Sequence, residues 1–190
     1  MLKDAAQPPG DVLVVSRLLL TFCAMLAAHG LAAAELIVGE RPPEVTLQGD
    51  AGGRLDDSLW SSAALAGRVH LLMYVDPDES GLNAHVEQAV AAKKYNQASV
   101  GSVGVVNMAA TWKPGFAIDM MLKKKQEKFP NTVYVRDKQK VFVERWGLTD
   151  NTYHVLAFGR DGQLLFSHGG ALSDEQVEQL LQRVDAEIAR

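Results

Sequence analysis

Five side chains able to do chemistry fall within ten residues of one another: Asp76, Asp78, Glu79, Ser80 and His85. Three carboxylates from one loop are oxygen donors of the kind a hard cation takes. Their spacing, however, lacks the glycine and the distal bidentate glutamate of a calcium-binding helix-loop-helix. The same acids would also serve as a solvated turn that complements the positive end of a following helix. His85 stands one helical turn past Gly81. As a general base it would need a nearby nucleophile, and Ser80 is the only local choice. No Gly-x-Ser-x-Gly elbow surrounds that serine. His70 sits inside an apolar run, where packing or a local hydrogen bond is expected. His154 and His168 flank a hairpin and could supply two nitrogen ligands to zinc, with no further ligands at characteristic spacing. Trp112, Lys113 and Pro114 form a loop that reads either as a lid or as a plug.

The elements that would position these groups follow from the apolar pattern. Val69–Val75 is a short apolar run between Gly67 and Pro77, a strand buried on both faces. Leu82, His85, Val86, Ala89 and Val90 recur at helical spacing after the acidic loop. In open α/β sheets the turn between such a strand and helix is where ligands usually sit. Further strands are predicted at Ser99–Asn107, Thr132–Val135, Val155–Phe158 and Gln163–Ser167. Asp161-Gly162 marks a hairpin turn between the last two. Helices are predicted at Phe116–Phe129 and Val141–Trp146, with Phe116, Ile118, Met121, Leu122 and Phe129 inward on the first and Phe142 and Trp146 inward on the second. Lys123, Lys124, Lys125 and Lys128 could meet an anionic partner, but a run of this kind is more often a solvated face near a helix C-terminus, and that reading is preferred. Ser173–Gln176 is a capping box, followed by Val177, Leu180, Leu181, Val184 and Ile188 on one face. Near the front, Val45–Leu47 and Leu55–Asp57 are expected to pair as a hairpin around Gly49–Gly53, and Trp60–Leu65 to form a short helix or turn. The order is β-α-β-α-β-α-β-β-α after that hairpin, an α/β fold whose three helix-linked strands run parallel and whose last pair is antiparallel.

Residues 1–34 have another character. Arg17 precedes the apolar run Leu18–Ala28, and Ala32-Ala33-Ala34 follows it. Basic residue, short apolar core and small-residue site together read as a cleavable signal peptide. The run is shorter than the ~20 residues of a spanning helix, so no permanent membrane anchor is expected. Asp4, Pro8, Pro9 and Asp11 are foreign to such a leader and suggest a true translation start near Leu13 to Val15. Residues 35–190 then form one domain, large enough to bury roughly 70% of its unfolded surface. The net charge of −4 argues against a nucleic-acid surface, which needs clustered lysine and arginine. The single cysteine, Cys23, lies in the leader. The residues before it are not those of a lipidation site. A chain cleaved after Ala34 holds no thiol for disulfides, catalysis or metal.

The element order, with Gly39-x-x-x-Pro43-x-Val-x-Leu47, Leu65-Ala-Gly-Arg-Val69, Phe129-Pro130…Val135-x-Asp137 and Arg160-Asp-Gly-x-Leu164, resembles thioredoxin-fold proteins of the peroxiredoxin and TlpA type over nearly all of residues 38–190. Trp60-Ser61 with Leu65-x-Gly-Arg-Val69, the Asn107 loop, and Asp161-Gly162 with Gly170-Ala-Leu-Ser173 narrow the resemblance to the YtfJ family of small exported bacterial proteins. The resemblance implies a thioredoxin-like mixed sheet with flanking helices and an N-terminal β-hairpin. It also implies a periplasmic protein of poorly defined activity. The Cys-x-x-Cys of working thioredoxins would fall at Pro77–Leu82, and their cis-proline near Thr152-Tyr153. Both are absent here, which excludes dithiol chemistry.

The expected function is therefore a redox-inactive binding or accessory protein of the periplasm, without a cofactor, whose partner is a periplasmic protein or small ligand. The competing reading is a metal-assisted or oxygen-nucleophile hydrolase using the Asp76–His85 region. A transcriptional-regulator label sometimes attached to the family fits badly with a leader and no helix-turn-helix. The resemblance also brings Asp76–Gly81 beside Asp150–Tyr153, so Asp76, Asp78, Glu79, Asn151 and Tyr153 are the expected binding residues, with Tyr153 as an exposed anchor. The leader makes a first prediction. The intact mass of periplasmic material should correspond to a chain beginning at Glu35; a mass that retains Cys23 would defeat both the cleavage and the thiol-free argument.

Overall fold

A computed structural model describes residues 35–190, and the expected leader lies outside the described residues. Among the described residues no helix is long and apolar enough to cross a membrane. The strands are β1 (Thr46–Leu47), β2 (Gly52–Arg54), β3 (Trp60–Ser61), β4 (Val69–Val75), β5 (Val100–Asn107), β6 (Thr132–Asp137), β7 (Tyr153–Phe158) and β8 (Leu164–Gly169). The helices are α1 (Ala84–Lys93), α2 (Gly115–Lys128), α3 (Val141–Trp146) and α4 (Asp174–Ala189). Six strands form the main sheet in the order β2-β6-β5-β4-β7-β8. β4, β5 and β6 run parallel, and β7 and β8 close the sheet antiparallel. This is the mixed sheet the pattern predicts.

The N-terminal hairpin is the exception. β1 pairs with Trp60–Ser61, not with Leu55–Asp57, which is a turn. The intervening glycines are not a free turn either. Gly52–Arg54 joins the main sheet as an edge strand beside β6. Gly52 and Gly53 have φ of 127° and 125°, and a Cβ on Gly52 would lie 1.8 Å from the Arg136 carbonyl oxygen. Glycine is what lets this strand approach β6 so closely.

One face of the sheet is sealed by a single cluster. Leu72, Tyr74, Val103, Val105, Val135, Leu156 and Phe158 meet Val45, Leu47, Trp60, Phe142 and Trp146. α3 supplies the last two, as its pattern predicts. It is fixed by Asp137, fully buried at the end of β6. That carboxylate accepts the backbone N–H groups of Gln139, Val141 and Phe142 at 3.2, 3.0 and 3.1 Å, and the Tyr74 hydroxyl at 3.2 Å. Burial nevertheless pushes its pKa above the usual carboxylate range, with the four donors pulling the other way. Trp146 donates to the Pro43 carbonyl at 2.7 Å and tethers the N-terminal segment.

The opposite face is covered by α1 and α4 over β4, β7 and β8, and by α2 over β6. α4 opens with the predicted capping box, Ser173 and Gln176 each bonding the other's backbone N–H. Its Val177, Leu180 and Val184 are buried. On α2 only Ile118 and Leu122 are buried, so the predicted inward face is too broad. Phe116 points outward and is 72% exposed, while Met121 and Phe129 remain partly open.

Asp137→Ala should lower the unfolding free energy by about 2–4 kcal/mol, because it leaves several donors without an acceptor. Urea denaturation measures it; a loss below about 1 kcal/mol would remove Asp137 from its role in holding α3.

Candidate functional site

The loop after β4 and the loop before β7 do lie side by side: the Asp76 N–H donates to the Thr152 carbonyl at 3.1 Å. Their side chains do not make the acidic, tyrosine-anchored surface expected of them. Asp76 is 4% exposed, and its Oδ1 accepts the Asp78 N–H at 2.8 Å, tying the loop to itself. Asp78 is paired with Lys113 and accepts the Thr111 hydroxyl at 2.7 Å. Those two partners, Lys113 first, hold its carboxyl below the usual range. Glu79 and Asn151 are exposed, Asn151 in the left-handed region with φ 55°. Tyr153 is not a surface anchor. It is 1% exposed, because the first residue of β7 points its ring into the core under α1 and α4.

The other groups are likewise committed locally. His85 Nε2 lies 2.9 Å from the Leu172 carbonyl, and His154 Nε2 2.8 Å from that of Thr149. His168 Nδ1 meets the Gln176 amide at 3.1 Å. His70 bonds the Leu65 carbonyl at 2.9 Å inside its strand. Among the described residues no group of three His, Cys, Asp or Glu side chains is placed to hold a metal. Trp112 does not plug its loop, being 87% exposed beside the Lys113–Asp78 pair.

What the fold does build is a groove between α1 and α2. Parallel register puts Ser102 of β5 between Leu71 and Thr132, and Gly104 between Met73 and Tyr134. Alternate side chains share a face, so the middle of the sheet presents two small residues beside Leu71, Met73 and Tyr134. The apolar packing on this face therefore divides. Leu71, Met73, Tyr153 and Val155 join α1 and α4, while Tyr134, Ile118 and Leu122 form a separate cluster under α2. Between them lies an open cavity of about 450 Å³. Val75, Pro77 and Ser80 line it at the carboxyl end of β4, and Lys125, Lys128, Phe129 and Thr132 where β6 begins.

Its lining carries a few polar groups, among them Ser102, Glu87 and the hydroxyls of Tyr134 and Tyr153. The Tyr153 hydroxyl donates to Glu87 of α1 at 2.9 Å. Burial, then the Glu87 charge, push the Tyr153 hydroxyl well above the ordinary tyrosine range, and the same two causes push Tyr134 up to about 12. Both hydroxyls are protonated at neutral pH, and that of Tyr153 acts as a donor, not a base. Met121 and Phe129 owe their partial exposure to this groove, which they line. Of the residues weighed from the sequence as possible site residues, Ser80, Tyr153, Lys125 and Lys128 belong to it, although the two lysines read there as a solvated face; Glu87 and Tyr134 were missed. The available signal was Ser102 and Gly104, two small residues at alternate positions of a central strand.

A mixed sheet of this order with helices on both faces is that of the thioredoxin-like proteins. The chain is similar to the thiol-disulfide isomerase of Corynebacterium glutamicum, with a TM-score of 0.55 and 16% identity over 78% of this chain and 97% of that one. It is also similar to a peroxiredoxin-like protein from Aquifex aeolicus, with a TM-score of 0.52 and 16% identity over 80% and 91%. Residues 40–187 match the family described as bacterial protein of unknown function (YtfJ_HI0045), and the chain belongs to that family. It is 24% identical over 174 residues to the uncharacterized protein YtfJ of Escherichia coli strain K12, covering 87% of this chain and 94% of that protein. It is 22% identical over 129 residues to an uncharacterized protein of Haemophilus influenzae, covering 66% and 70%.

Tyr153→Ala should cost about 3–5 kcal/mol, as removal of a buried aromatic ring does, and Tyr153→Phe about 1 kcal/mol for the hydroxyl alone. Asp78→Ala should leave the unfolding midpoint at its wild-type value. Denaturant titration of the three variants checks the order; an unaffected Tyr153→Ala would return that residue to the surface.

Proposed function

We propose that this protein is an exported binding or accessory protein that keeps a thioredoxin-like fold without dithiol chemistry and takes an apolar ligand in the groove between α1 and α2. The observation that carries the reading is the groove itself. A close-packed domain seldom leaves a gap of this size over the middle strands of its sheet. Cavities of several hundred cubic ångströms with a few placed polar groups are the usual form of a small-molecule site. The loop that holds cysteines in working thioredoxins instead holds Asp76–Gly81, and its Pro77 and Ser80 close one end of the groove. Cys23, the chain's one cysteine, belongs to the stretch expected to be removed on export. A periplasmic protein partner would then have exposed apolar side chains to meet, Trp112 and Phe116 among them.

Nile red, a neutral apolar dye, tests the reading. It should bind the protein with saturable fluorescence gain, and Ser102→Leu, which fills the floor of the groove, should abolish that gain while the variant keeps its far-ultraviolet circular dichroism. Equal binding by wild type and variant would place the dye elsewhere and remove the groove as the site.

A further inference from the structure

We infer that the ligand of the groove is a single-chain amphiphile with an anionic head, of the fatty-acid class, held with its carboxylate at Lys125 and Lys128 and its chain over Ser102 and Gly104. The inference rests on the groove being a binding site and adds the chemistry of its occupant. The charges are laid out along it. Glu87 is the only acid among the lining residues, and it lies toward the end formed by Val75, Tyr153 and the first turn of α1. Lys125 and Lys128 are the only bases, one turn apart in the last turns of α2 and close to Thr132. Neither lysine is within ion-pair distance of a carboxylate among the described residues, although Lys93, Lys113 and Lys140 are each paired. Lys128 lies over the Phe129 ring at 5.1 Å, poised at the mouth.

Between these ends the lining is mostly apolar, with Met73, Val90, Ile118, Met121 and Leu122 beside Ser102 and Tyr134. An acyl chain matches that stretch, since each methylene withdrawn from water strengthens binding about fourfold. A head placed near Glu87 would meet a like charge; a head at the opposite end meets two cations. The groove therefore fixes direction as well as class. The open rim suits a chain that enters sideways between the helices, and the half-buried Lys125 with the exposed Lys128 suits a head that stays at the border of water, as amphipathic groups do.

The test is titration calorimetry of the protein with dodecanoate, decanoate and dodecanol, each below its micelle concentration. Dodecanoate should bind one to one, and decanoate, two methylenes shorter, about sixteenfold more weakly. The double variant Lys125→Ala with Lys128→Ala should weaken dodecanoate about tenfold and leave dodecanol unchanged. Ser102→Leu should abolish both; if that variant does not fold, Ala91→Phe blocks the groove from an exposed position of α1 and serves in its place. Dodecanoate binding that ignores the lysines, or that survives the blocking variant, overturns the inference. If Nile red binds in the groove and dodecanoate does not, the anionic amphiphile is wrong and the groove reading stands. If neither binds, both fall.

Discussion

The buried carboxylate of Asp137 is the constraint on which the sheet's closed face depends. It ends β6, receives the first N–H groups of α3 and takes the hydroxyl of Tyr74 from β4. A carboxylate in that position would be unfavourable without such donors, and α3 would lack a partner for its N-terminus without the carboxylate. Because α3 is held there, Phe142 reaches Tyr74, Trp60 and Trp146 at ring separations of 5.3, 5.7 and 4.6 Å. One short helix thus converts a polar anchor into the largest aromatic packing in the domain.

With that face closed, the other can be left incomplete. α1 with α4 and α2 each bury their own stretch of sheet, and the register of β5 sets Ser102 and Gly104 at the seam. A larger residue at Ser102 would join the two clusters and add apolar contact, whereas a Cβ on Gly104 would press on the Tyr134 ring at 3.1 Å. The gap forgoes that contact, and the groove is what it provides in return. The carboxyl end of β4, the usual address of ligands in such sheets, contributes Val75, Pro77 and Ser80 to one wall of the groove. Asp78 is spent on Lys113, and His85 on the Leu172 carbonyl.

Much of this fold is legible in the residues. Val69–Val75 reads as a strand buried on both faces, and it is one. The capping box at Ser173 and the Asp161-Gly162 turn are local signals with local causes, and they hold. The failures involve partners distant in sequence. Gly52 and Gly53 look like a loop until β6, some eighty residues away, makes their missing side chains the condition of an edge strand. Tyr153 looks like loop because it follows Asn151 and Thr152, yet one residue further the chain is already in the sheet. Met121 and Phe129 share a helical face with Ile118 and Leu122, but what they face is a groove. The groove itself needs three strand registers at once, and no single stretch of sequence carries them.

The methionines offer the most direct measurement, since Met73 and Met121 line the groove whereas Met120, on the next face of α2, is exposed to solvent. With carbon-13-labelled methionine methyls, titration with dodecanoate should move the Met73 and Met121 signals together along one saturating curve and leave Met120 in place. Saturable binding that moves Met120, or that leaves Met73 and Met121 still, would contradict a ligand between α1 and α2.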